Sequence, residues 1–231
     1  MSEAGSAHKL RPLRSADLKS YRFTWVLLAE LLLILIFPFT AGPGIRAHLF
    51  RILGLLLFVV ALLAVLGRGR TTRIACALGL PSIVIGLANL AGYSLRWHWV
   101  ALGLGGVYLL FVAGVFVRAI LAEASVTTDT LAGAVSAYLL IGIGFGLIYG
   151  CMETVSPGSF RETYDSSRII TPPDLIFFSF TTLTTTGYGD MVPWAGAARS
   201  LAVIEEVLGV MYPAVLIARL IGLHASRWRG E

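Results

Sequence analysis

Thr184-Thr185-Thr186-Gly187-Tyr188-Gly189-Asp190 is a run of small polar and glycine residues between two long apolar segments. Extended backbone of this kind can turn successive carbonyl oxygens toward one axis. A ring of such strands replaces the water shell of a dehydrated cation.

The sequence is 57% hydrophobic and 13% charged over 231 residues. Soluble domains carry roughly 25% charged residues, so this composition is that of a membrane protein. The net charge of +5 resides in clusters beside apolar runs. Lys9, Arg11, Arg14, Lys19 and Arg22 precede the first run, Arg68, Arg70 and Arg73 fill one gap, and Arg219, Arg227 and Arg229 lie near the end. This is the positive-inside pattern rather than a nucleic-acid patch, so no nucleic-acid partner is expected. Cys76 and Cys151 read as small apolar residues rather than a disulfide or metal site.

A span of the hydrocarbon core needs about 20 apolar residues. Six segments qualify, near Phe23–Thr40, Ala47–Leu66, Ile74–Gly92, Trp99–Leu121, Leu131–Cys151 and Gly196–Leu223. The Ala41-Gly42-Pro43-Gly44 turn and the Arg96-Trp97-His98-Trp99 interfacial segment separate some of them. Charge counting places both termini in the cytoplasm and the loop from Met152 to Pro193 outside. Within that loop, Thr171-Pro172-Pro173-Asp174 starts a further apolar stretch ending at Leu183. Proline and an acid suit a first helical turn, and the stretch is too short to cross, so it reads as a re-entrant helix. The fold class is therefore an all-α membrane protein, with six transmembrane helices and a re-entrant pore helix and filter between the fifth and sixth.

The sequence from Phe177 through Phe180, Thr181 and Leu183 to Asp190 resembles the pore helix and selectivity filter of the potassium channel family, whose filter signature is TVGYG. Thr186 stands in place of its valine. The resemblance covers about residues 131–223; the first four spans match in number and orientation alone. It implies a homotetramer with K+ as the permeant ion and no cofactor. Thr185, Thr186, Gly187, Tyr188 and Gly189 are the implied ion-binding residues, with K+ held at the first four. The Thr185 hydroxyl adds an oxygen at the inner mouth. Gly187 and Gly189 supply backbone angles closed to other residues. Tyr188 is expected to turn from the ion and wedge against a cuff of Phe177 and Phe178. Asp190 is expected to bond behind the filter, and Thr181 stands where some members carry an acid.

In the last span Gly209 lies where many family members have a hinge glycine, and Pro213 follows it. The two mark a hinge, or Gly209 allows close helix packing instead. Val210, Pro213 and Ile217 fall on one stripe expected to face the cavity, with Ile217 narrowing its mouth. Glu206 is expected to pack behind the pore helix near Ser179 or Thr182, in a structural or a gating role. Glu205 has no evident partner; Glu30 is similarly unexplained, unless it pairs with a polar group on a neighbouring span.

The fourth span carries only Arg118, whereas a voltage sensor needs arginines repeated along one face. Weak voltage dependence is therefore expected, and a steep conductance–voltage curve in symmetric potassium would refute it. The expected organisation is a cytoplasmic segment 1–22, a four-helix membrane domain 23–121, a linker 122–130, a pore domain 131–223 and a short cytoplasmic tail 224–231. The whole lies as a multi-pass protein in the bilayer of the plasma (inner) membrane. Competing readings are a non-selective cation channel and a non-conducting partner of another channel. A membrane-embedded hydrolase would need His-Glu-x-x-His or Gly-x-Ser-x-Gly, and neither occurs; no catalytic residue is assigned.

Overall fold

A computed structural model describes residues 21–36, 45–67, 69–93, 98–123, 127–165 and 168–228, without the side chains of 45–47 and 220–228. The basic segment up to Lys19, the turn at Ala41–Gly44, Arg68, Arg96-Trp97 and residues 229–231 lie outside the described residues.

The described chain is helical apart from one short strand pair. In chain order the elements are α1 (Arg22–Ile36), α2 (Ile45–Val65), α3 (Arg70–Leu90), α4 (His98–Ala122), α5 (Thr128–Val155), β1 (Phe160–Glu162), α6 (Pro172–Leu183), β2 (Met191–Pro193) and α7 (Gly196–Trp228). Five of them, α2 to α5 and α7, are long and apolar enough to cross a membrane, and the protein is a multi-pass membrane protein. α1 has 15 described residues, which at 1.5 Å per residue fall short of a ~30 Å core.

Helix α5 is the hub, packing against α4, α1 and α6. It begins where Thr127 accepts the Thr130 amide in a reciprocal cap. α1 runs parallel to α5. Thr24 donates from its amide and hydroxyl to Asp129 at 3.0 and 2.8 Å, and a helical turn and a half later Ser136 donates to the buried Glu30 at 3.0 Å. Glu30 thus pairs with a polar group on another span, the simple partner the sequence allows.

Small residues set how closely these helices approach. Gly142, Gly146 and Gly150 form a ladder at four-residue spacing along α5. A Cβ on Gly142 or Gly146 would meet the Phe180 ring at 2.7 Å or the Ile176 Cα at 2.6 Å, and one on Gly150 would reach Pro172 at 3.9 Å. α6 therefore lies antiparallel in a groove cut for it, as small-xxx-small contacts do between membrane helices. α6 itself starts at Thr171, whose amide donates to Asp174 at 2.9 Å, with proline in its first turn as the sequence expects.

The segment between α5 and α7 contains an antiparallel pair in which Phe160 faces Pro193, Arg161 faces Val192 and Glu162 faces Met191. The segment before α6 is thereby fastened to the segment after the Thr184–Asp190 run.

Candidate ion-conduction site

Helix α6 ends at Leu183, and the next residues double back onto it. The Thr185 amide donates to the Thr182 carbonyl at 2.9 Å; the Thr186 and Gly187 amides both donate to the Thr181 carbonyl, at 2.8 and 3.1 Å. With the amides committed to the helix, the carbonyls turn the other way. The dihedrals reinforce this: Thr185, Gly187 and Gly189 have φ of 56°, 53° and 75°. A left-handed residue at every second position undoes the alternation of an ordinary strand and gathers carbonyls on one side. Glycine takes this conformation freely, whereas Thr185 is held there by its neighbours, a strain typical of functional backbone.

The polar substitution at Thr186 is accommodated locally. Its hydroxyl lies 2.8 Å from that of Thr184, which donates to the Phe180 carbonyl at 2.7 Å. Residues 184–189 are exposed on the single chain.

Several expected roles need correction. Phe177 stacks on Tyr188, with ring centroids 6.2 Å apart and planes within 5°. Phe178 does not join this cuff. It is buried on the other face of α6, against Tyr149 and Phe160 at 5.4 Å each, because successive helical residues point about 100° apart. Thr181 contributes its carbonyl, while its hydroxyl donates back to Phe178 at 2.9 Å. Asp190 does not bond behind the filter: its carboxylate accepts its neighbour Met191's amide at 3.0 Å, and its carbonyl accepts the Thr163 amide at 2.8 Å. The Gly189 carbonyl, expected to face an ion, accepts the Thr163 hydroxyl at 2.6 Å.

The two acids of α7 exchange the expected roles. Glu206 is exposed on the single chain, whereas Glu205 is buried behind α6. The Tyr149 hydroxyl donates to Glu205 Oε2 at 2.7 Å, and Ser179 Oγ bonds Glu205 Oε1. Ser179 also donates to the Gly142 carbonyl at 2.6 Å. One carboxyl thus joins α5, α6 and α7.

Gly209 is buried on the same α7 face, its Cα pressed against the Leu183 carbonyl group. That carbonyl also accepts the Tyr138 hydroxyl at 3.2 Å. α7 continues as a helix through Gly209 and Pro213. Val210 and Ile217 are exposed on the single chain and Pro213 is half-buried. Farther from the filter, Arg219 donates to the Leu121 and Glu123 carbonyls at 3.1 and 3.3 Å. A cation there suits the exposed carbonyls of the α4 terminus. Sequence reasoning missed Thr163, Tyr138, Tyr149 and this contact of Arg219.

A family model described as an ion channel matches residues 138–223, which runs from within α5 through α7. Protein LctB of Bacillus caldotenax is 31% identical over 96 residues, covering 40% of this chain and 71% of its own length. Protein LctB of Geobacillus stearothermophilus is 28% identical over 118 residues, or 50% of this chain and 87% of its own. No solved structure matches. With its short capped helix, its carbonyl-gathering turn and this likeness, the chain belongs to the ion channel family.

Proposed function

We propose that four copies of the chain form a potassium-selective channel that conducts K+ passively down its gradient. The observation that carries this reading is the alternation of left-handed residues at Thr185, Gly187 and Gly189, with the Thr186 and Gly187 amides bound to the Thr181 carbonyl. Four such strands offer stacked rings of carbonyls from Thr185, Thr186, Gly187 and Tyr188, which replace the hydration shell of K+. The Thr185 hydroxyl adds a further oxygen at the inner end.

In this reading α1 is the first of six spans, and α6 is a re-entrant helix whose C-terminal dipole end favours a cation. Parallel α1 and α5 support it, since three crossings between them restore the direction. Val210, Pro213 and Ile217 face the cavity. The exposed apolar side of α7, with Val203, Ile204, Val207 and Met211 each more than half exposed, meets neighbouring subunits or lipid. Both termini are cytoplasmic and the membrane is the plasma (inner) membrane. α1–α4 form a sensor-like unit without gating charges.

Purified protein in liposomes should pass K+ at a rate well above Na+, and native mass spectrometry should show four chains. Equal permeability to the two ions would leave a non-selective cation channel. A stable dimer in lipid would remove the ring altogether.

A further inference from the structure

The strand before the pore helix is fastened along its length and delivers one hydroxyl to the filter. Glu153 accepts the Gly158 and Phe160 amides at 2.8 and 3.0 Å, which fixes the turn leading into β1. The Phe160 ring is buried against Tyr149 and Phe178. Arg161 lies 3.7 Å above the Trp194 ring, a cation–π contact across the strand pair. Glu162 pairs with Arg168 at 3.0 Å, and Arg168 pairs with Asp174 in the first turn of α6 at 2.9 Å. Thr163 follows immediately. Its amide holds the Asp190 carbonyl at 2.8 Å and its hydroxyl holds the Gly189 carbonyl at 2.6 Å.

We propose that Thr163 is a positioning residue that latches the outer end of the filter. It keeps the Gly189 carbonyl turned toward β1 and off the ion path. This rests on the potassium-channel reading above and deepens it. Glycine accepts φ of either sign, so the peptide after Gly189 can rotate. An ion in the outermost ring attracts the Tyr188 carbonyl and so steadies the neighbouring peptide. When that ring empties, the orientation depends on the protein alone, and the Thr163 hydroxyl bonds the Gly189 carbonyl just beyond the ring. The chain has no acid at Thr181 to do this from behind, and Asp190 is engaged with Met191.

The latch predicts a dependence on external K+ that a merely architectural residue would not have. Thr163→Val keeps the shape and the backbone amide but removes the hydroxyl. Thr163 is exposed, so the change leaves folding intact. In planar bilayers with purified tetramers, the lifetime of the conducting state should match wild type at high external K+. At low external K+ it should shorten by about fivefold, the worth of one neutral hydrogen bond. Thr163→Ser should restore the wild-type lifetime. A Thr163→Val lifetime equal to wild type at both concentrations overturns the latch. So does shortening by the same factor at both, or loss of the tetramer, since either marks Thr163 as architectural. Wild-type protein that passes no K+ would instead overturn the channel reading.

Discussion

If four chains form the proposed potassium channel, Gly209→Ala is expected to reduce its flux to the level of empty vesicles and to weaken the assembly. A Cβ at this position would overlap the Leu183 carbonyl oxygen and stand 2.7 Å from the Leu183 carbonyl carbon. Real Cβ atoms do not approach so closely, so something must shift. When the obstacle is the tip of a flexible side chain, the shift is small. Here it is backbone in the last turn of α6, two residues before the first strained residue of the filter. Overpacking costs typically about 1–3 kcal/mol, and an unyielding backbone puts this case at or above the top of that range. Displacing Leu183 also pulls on its bond from Tyr138 and moves the start of the carbonyl run.

A hinge at Gly209 predicts something different. If its only task were to let α7 bend, alanine would lower the open probability and leave thermal stability and assembly unchanged. Pro213 already loosens this part of α7, because it cannot donate to the carbonyl of Gly209, four residues earlier. Thermal dissociation of purified Gly209→Ala tetramers, read beside flux, separates the two accounts. Wild-type stability with altered flux would remove the packing argument. Leu183→Ala made together with Gly209→Ala should give no rescue, because the contact is with backbone and not with the leucine side chain.

The sequence disclosed what depends on neighbours along the chain. The capped start of α6, its apolar run and the glycine-rich turn lie within Thr171–Asp190, and each follows from local chemistry. Rotational setting was harder to read. Phe177 and Phe178 are adjacent and equally aromatic, yet one meets Tyr188 and the other the buried cluster with Tyr149. The choice between Glu205 and Glu206 is of the same kind. A signal was present there: Ala198, Ala202, Glu205 and Gly209 are buried at spacings of four, three and four, so a stripe of small residues marks the packed face, and Glu205 falls on it. The Gly142, Gly146 and Gly150 ladder on α5 was equally visible. Thr163 had no such mark. It reaches the filter across a loop, through a strand register that nothing local specifies.

In the proposed tetrameric channel, Glu205→Ala is expected to lower both the K+ over Na+ preference and the stability of the assembly, whereas Glu205→Gln stays close to wild type. The carboxyl sits where three helices meet, and it is fully buried. Truncation leaves the Tyr149 hydroxyl without an acceptor and opens a cavity behind α6. Ser179 keeps the Gly142 carbonyl but loses its tie to α7. A buried donor left unpaired costs about 1–3 kcal/mol, and a large-to-small change in a packed interior about 2–5 kcal/mol, so a loss of several kcal/mol per chain is expected. Glutamine keeps the volume, accepts from Tyr149 through its carbonyl and donates to Ser179 through its amide, so the network closes again. The same comparison at Glu206 discriminates further, since Glu206→Ala should change the permeability ratio less than Glu205→Ala. Selectivity is the sensitive readout, because the Thr181 and Thr182 carbonyls that hold the filter amides belong to the helix Glu205 braces. A permeability ratio unchanged in Glu205→Ala tetramers would confine Glu205 to stability. A glutamine variant as impaired as alanine would show that charge, and not hydrogen-bond geometry, is what this carboxyl supplies.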